Sequence, residues 1–205
     1  SLRSIEIVTD SGKRATPRQA RSEQTVQSIL DAADTVFHEH GVGSATTTMI
    51  AKEAGLSIGA LYRFFDDKTA IAVALADSFA EPLADTVVAV EMLIAEKGTE
   101  AIAESLAMVV DGIADLAKKR PGYFEVMRHL RDHQLREIQI EMLARWFTMM
   151  SPRTVDLAAR RRIALTVSEV TRALLERAPA KGKARQDHLD EIGKLLVPYL
   201  ELHLS

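Results

Sequence analysis

Thr46, Thr47, Thr48, Ser57, Tyr62 and Arg63 gather hydroxyls and a guanidinium into one short stretch of the chain. None stands in a pattern that would make it a nucleophile with an adjacent base. Hydroxyls of this kind, together with the free N–H groups of a helix start, instead suit phosphate oxygens. Ile58, Gly59 and Ala60 lie between them. Ile58 and Ala60 could touch thymine methyls, and Gly59 would let a backbone lie close to a groove wall. Arg63 suits a phosphate or a guanine edge, and Lys68 a further phosphate. The chemistry expected is recognition of a DNA backbone and its base edges.

Such groups need a rigid element to present them, and the flanking residues describe one. Thr46 can cap a helix that carries Ile50, Ala51 and Ala54 on its inner side. Gly55 ends it, because glycine tolerates the left-handed backbone needed there. Leu56 plugs inward. Ser57 then caps a second helix, expected over 58–64, whose buried stripe is Leu61 with Phe64 or Phe65. Ala51 is small enough for the second helix to cross closely. In a helix-turn-helix the N-terminal part of that second helix meets base edges. A helical hairpin inside an all-α core is the competing reading, and Ile58, Tyr62 and Arg63 on the outward side argue against it.

The run from Thr46, Thr-x-x-x-Ile-Ala-Lys-Glu-Ala-Gly-Leu-Ser-Ile-Gly-Ala-Leu-Tyr-Arg-Phe-Phe-x-Asp-Lys, resembles the N-terminal signature of the TetR family of transcriptional repressors. The resemblance covers roughly residues 17–80; the remainder agrees only in length and helical pattern. Ile58 and Phe64 stand where the family often carries lysine and histidine or tyrosine, which lowers polar reading capacity at those positions. The resemblance implies an all-α protein: a three-helix DNA-binding domain over 17–66, then a helical ligand-binding and dimerisation domain over 67–205 with a linking helix at 67–80, about nine helices in total. It also implies a homodimer on a near-palindromic operator of double-stranded DNA, released by a small-molecule inducer.

A bracing helix is expected ahead of the motif. Thr16–Pro17 is a helix start, and Val26, Ile29, Leu30, Ala33, Val36 and Phe37 form an apolar stripe that Gly41 ends. Arg18 and Arg21 sit at the positive end of this helix, where cations are unfavourable unless a phosphate lies nearby; with Lys13 and Arg14 they read as backbone or minor-groove contacts. Residues 1–16 are expected to form a disordered arm. Up to Lys68 the chain carries eight basic residues against nine acids, so DNA affinity must rest on where charges sit rather than on their sum.

The chain has 205 residues, 47% hydrophobic, a formal net charge of −3 and no cysteine. That is enough for one large or two small domains, and it excludes disulfides and thiolate metal sites. No apolar run is long enough to span a membrane, and no signal-peptide pattern is present; a cytoplasmic setting is expected. No nucleophile–base pair, glycine-rich phosphate loop or paired inner carboxylates point to an enzyme, and no cofactor is implied. An all-α small-molecule-binding protein or enzyme without DNA function is the alternative reading.

Beyond the linking helix, Met92, Met108, Tyr123, Phe124, Met127, Met142, Trp146, Phe147 and Met149 are the candidate lining of an adaptable pocket. Ordinary core explains each singly. The scarcity of charge on the inner faces suggests an apolar or aromatic ligand. Glu125, His129 and His133 share helical spacing that could serve a metal, but Arg128, Arg131, Asp132 and Arg136 mark a solvated, charge-laced face. Two last helices carry Val155, Ala159, Ile163, Val167, Val170 and Leu174, then Leu189, Ile192, Leu196 and Tyr199. These are the candidate interface of a four-helix bundle between two copies.

Overall fold

A computed structural model describes residues 17–130, 134–151, 156–179 and 182–204. All regular structure among them is helical, and no helix there is long and apolar enough to cross a membrane. The expected arm over 1–16 lies outside the described residues, as do His133 and Val155.

The first helix, α1 (Pro17–Ser44), is broken at Gly41, whose φ of 70° and ψ of 150° depart from the helix. The break lets Val42 and Ala45 turn into the core. The next three helices, α2 (Thr47–Glu53), α3 (Ile58–Leu61) and α4 (Lys68–Ser78), each begin on a side-chain cap. Thr46 accepts the Met49 N–H at 3.2 Å, Ser57 the Ala60 N–H at 3.1 Å and Asp67 the Ala70 N–H at 2.8 Å. Each cap satisfies a donor that the helix start leaves open, worth about 1 kcal/mol. α3 is shorter than the 58–64 expected, but helical bonding runs on through Phe65, whose N–H donates to Leu61.

α5 (Ala80–Lys97) holds Pro82 in its first turn, where a missing N–H is harmless. It stops at Gly98, with φ of 57°. A 3-10 turn, Gly98–Ala101, leads to α6 (Ile102–Lys119). Two helices follow, α7 (Tyr123–His129) and α8 (Gln134–Met150), and then α9 (Leu157–Leu175) and α10 (Lys183–Leu204). That makes ten α-helices among the described residues, close to the nine or so expected; Leu130, with ψ of 18°, has left helical geometry at the end of α7.

Two apolar cores result. The first unites Ile29, Ala33 and Phe37 of α1 with Ile50, Leu61, Ile71 and Leu75, and draws in Tyr123, Val126 and Leu130 from α7 and its end. The second packs Val90 and Ile94 of α5, Ile102 and Val110 of α6, Trp146 and Phe147 of α8, and the inner stripes of α9 and α10. α7 therefore belongs to the head as much as to the body.

Those inner stripes correct part of the expected dimer interface. Ile163, Val167, Leu189, Ile192 and Leu196 are buried within the monomer, and Val170, Leu174 and Tyr199 pack partly against the same core. Ala159 is only half-buried. Each amphipathic helix has one broad apolar stripe, and the apolar faces of α6 and α8 cover it from within the chain. The outward sides of α9 and α10 carry Leu157, Leu165, Leu195 and Leu202, all exposed.

Candidate nucleic-acid interface and ligand cavity

Leu61 is fully buried and pins α3 onto the first core, while Ala51 is buried at the crossing. The turn between α2 and α3 is closed by backbone bonds: the Gly55 N–H donates to Lys52 at 3.1 Å and the Leu56 N–H to Ala51 at 2.8 Å. Gly55 has φ of 67°, a backbone that a side chain would strain. With one side of α3 held, the other faces outward: Ile58 is 40% and Tyr62 50% exposed. Arg63 is exposed and Ala60 half-buried. The space around Gly59 is open, with nothing within 4 Å of where a Cβ would stand.

The hydroxyls meet across the two helices. Tyr62 Oη and Thr47 Oγ1 lie 3.0 Å apart, so the phenol is aimed at the start of α2. Thr46 and Thr48 are exposed beside it. The Thr46 and Ser57 oxygens already accept backbone N–H groups, leaving their own O–H protons to donate outward. Arg21 is exposed on α1, whose first turn contains no acid; the Arg18 side chain lies outside what is described.

Lys68 departs from the expected free phosphate contact. Its ammonium donates to the carbonyls of Gly43 at 2.6 Å and Ala45 at 2.9 Å. It ties the start of α4 to the chain end of α1, which satisfies carbonyls left open where that helix breaks. Periodicity gave no sign of these partners, which lie far back in the sequence.

Head and body are joined at the turn before α7. Arg120 pairs with Asp31, and the Gly122 N–H donates to Asp34 Oδ1 at 3.0 Å. Burial pushes the Asp34 carboxyl above its usual range, opposed by the Gly122 bond and the Arg120 charge. A Cβ on Gly122 would stand 2.6 Å from the Asp34 carbonyl oxygen, so only glycine permits this approach. Tyr123 then meets Phe79 at the end of α4, with ring centroids 5.1 Å apart and planes tilted by 56°.

Tyr123 is also a wall of a cavity of about 160 Å³ in the body. Burial pushes its phenol up to about 12, so it remains neutral at any ordinary pH. Phe124, Met127, Met142, Trp146 and Phe147 line the same space. Three other residues of the expected set do not. Met92 is 69% exposed on the outer side of α5, Met149 is exposed, and Met108 packs on the core away from the cavity. A methionine's type says nothing about which side of its helix is inward, and here the outward positions won.

The lining also holds polar groups that composition did not suggest: Thr86, Ser105, Gln139 and Thr171, with Arg136, Glu169 and Arg172. They interrupt apolar stripes at inward positions, which is the signal that could have found them. The charged residues join an alternating network. Glu169 pairs with Arg136 and with Arg172 at 2.9 Å; Arg172 reaches Glu176 at 3.0 Å; Arg128 bridges Glu176 and Glu125. Burial alone would raise the Glu169 carboxyl, but the bonds and charges of Arg172 and Arg136 outweigh it and hold the group below its usual range. Glu125 is thereby engaged with Arg128, and His129 is exposed.

An outward second helix on a capped hairpin, joined through α7 to a helical body with a cavity, defines a helix-turn-helix protein with a second, all-helical part. Residues 29–75 match the family described as "Bacterial regulatory proteins, tetR family". The A-factor receptor protein of Streptomyces griseus is 45% identical over 60 residues, which is 29% of this chain and 22% of that relative's own length. The fatty acid degradation regulator FadR from Bacillus halodurans superposes with a TM-score of 0.62 over 90% of this chain and 97% of its own, at 18% identity. The transcriptional regulator FadR from Bacillus subtilis in complex with stearoyl-CoA does so with a TM-score of 0.58 over 87% and 97%, at 22% identity. The last two are likenesses of fold.

Proposed function

We propose that this protein is a homodimeric transcriptional repressor that reads a near-palindromic operator and is released by a small molecule bound in the body. The observation that carries the reading is the outward face of α3, with Ile58 and Tyr62 held in the open while Leu61 anchors the helix from beneath. Ile58, Gly59 and Ala60 meet base edges; Tyr62 with Thr47, and Thr46, Thr48, Ser57, Arg63, Arg18 and Arg21, meet phosphates. Lys68 acts chiefly as the brace that sets the angle of α4.

The cavity supports a ligand-responsive body, as does the neighbour of like fold solved with stearoyl-CoA. Tyr123 touches both the cavity and Phe79, so a ligand that moves Tyr123 moves the end of α4 and the contact with α1. Release requires that the ligand bind more tightly to the state whose two heads are wrongly spaced, since equal affinity shifts nothing.

A gel shift with DNA lying upstream of the gene tests this. The unaltered chain retards a specific fragment in excess competitor DNA. Tyr62→Phe, which removes one hydroxyl, weakens every site alike by about threefold to tenfold, as loss of a single hydrogen bond does. Ile58→Ala changes which sequence is preferred. Absence of retardation at low salt with any fragment defeats the reading.

A further inference from the structure

Two groups in the cavity are not accounted for by a purely apolar ligand. Ser105 on α6 is 3% exposed and Thr171 on α9 is 5% exposed; both line the cavity. Neither Ser105 Oγ nor Thr171 Oγ1 has a hydrogen-bond partner among the described residues. Helical hydroxyls commonly turn back to a carbonyl of the preceding turn, as Thr148 does to Ala144 and Thr166 to Arg162, each at 2.9 Å. Ser105 and Thr171 do not. Any molecule that fills the space must either pair with them or seal them in unpaired, and the second is costly.

The remaining polar wall narrows the choice. Arg136 and Arg172 could attract an anion, but both are already paired with Glu169, and Arg172 also with Glu176. An incoming carboxylate would have to displace a carboxylate already held there. Size narrows it further: at about 160 Å³ the space is close to one known to take benzene, and well below that of a drug-sized site.

Resting on the ligand-responsive reading above, we propose that the cavity takes a neutral, ring-sized, largely apolar molecule bearing a hydroxyl or carbonyl oxygen, and that this oxygen pairs with Ser105 and Thr171. Apolar walls supply the affinity, and the two hydroxyls select the oxygenated compound over its hydrocarbon counterpart. The paired arginines discourage the acid.

Trp146 is the only tryptophan in the chain and lies in the cavity wall, so its fluorescence reports on this site alone. Phenol, toluene and benzoate, matched in size, are titrated against the full chain without DNA, exciting at a wavelength where only tryptophan absorbs. The same titrations are run on Ser105→Ala/Thr171→Val, which removes both hydroxyls at nearly constant volume. Phenol binds the unaltered chain more tightly than benzoate. The ratio of the toluene to the phenol dissociation constant falls at least tenfold in the variant, with phenol weakened and toluene strengthened. The variant melts no lower than the parent, because two unpaired hydroxyls have been removed; Ser105→Ala alone supplies the same ratio should the double variant lose its native melt. An unchanged ratio, benzoate as the tightest of the three, or no response to any of them at millimolar concentration overturns the assignment. So does a response confined to a long-chain acyl-CoA. A gel shift on the same preparations separates the two claims: intact DNA binding with an unchanged ratio removes the neutral-oxygen ligand and leaves the regulator.

Discussion

Single residues fix how the head meets the body, and Gly122 is the sharpest instance. Its N–H caps the buried Asp34 carboxylate, and its missing side chain makes room for the Asp34 backbone. Gly122→Ala must push the α7 turn away from α1, and overpacking of that kind costs about 1–3 kcal/mol. Thermal unfolding followed by circular dichroism should show a lower midpoint with native helicity retained at low temperature; an unchanged midpoint would mean that the turn moves freely. The caps at Thr46 and Ser57 and the turn at Gly55 were legible in sequence because each acts within a few residues of itself. Lys68 and Gly122 were not. Their partners, Gly43 and Ala45 for one and Asp34 for the other, are set by tertiary packing that no local pattern records.

At the scale of helices, periodicity identifies an apolar stripe but not what covers it. That is why Ile163, Val167, Leu189, Ile192 and Leu196 read as a surface between copies when they are core within one chain. It is also why Met92 and Met149 read as pocket when they face outward. Phe124, Met127, Met142, Trp146 and Phe147 were candidates by side-chain type alone, and they stand on the sides of α7 and α8 that line the cavity. We place the proposed dimer on the other sides of α9 and α10, where Leu165, Leu195 and Leu202 stand exposed. Two such helices from each copy can form the bundle that the outer leucines would fill. Leu195→Glu with Leu202→Glu places charges on that surface without touching the core. Light scattering after size exclusion should report a dimer for the parent and a monomer for the variant, at equal helicity. A variant that remains dimeric would place the interface elsewhere.

The molecule as a whole joins two cores through α7, which lends Tyr123 and Val126 to the head while Tyr123, Phe124 and Met127 wall the cavity in the body. A change in the cavity thus has a short mechanical route to α1 and α4, and a dimer would convert it into a change of distance between two reading helices. All of this depends on α3 entering a major groove, twice and in register. Footprinting of the retarded operator complex tests that most directly. The account predicts two protected patches related by a two-fold axis, centred about 34–36 Å apart on one face of the duplex, both lost when ligand is added. A single patch, protection without two-fold symmetry, or protection that survives Ile58→Ala and Tyr62→Phe with its sequence preference unaltered would contradict it.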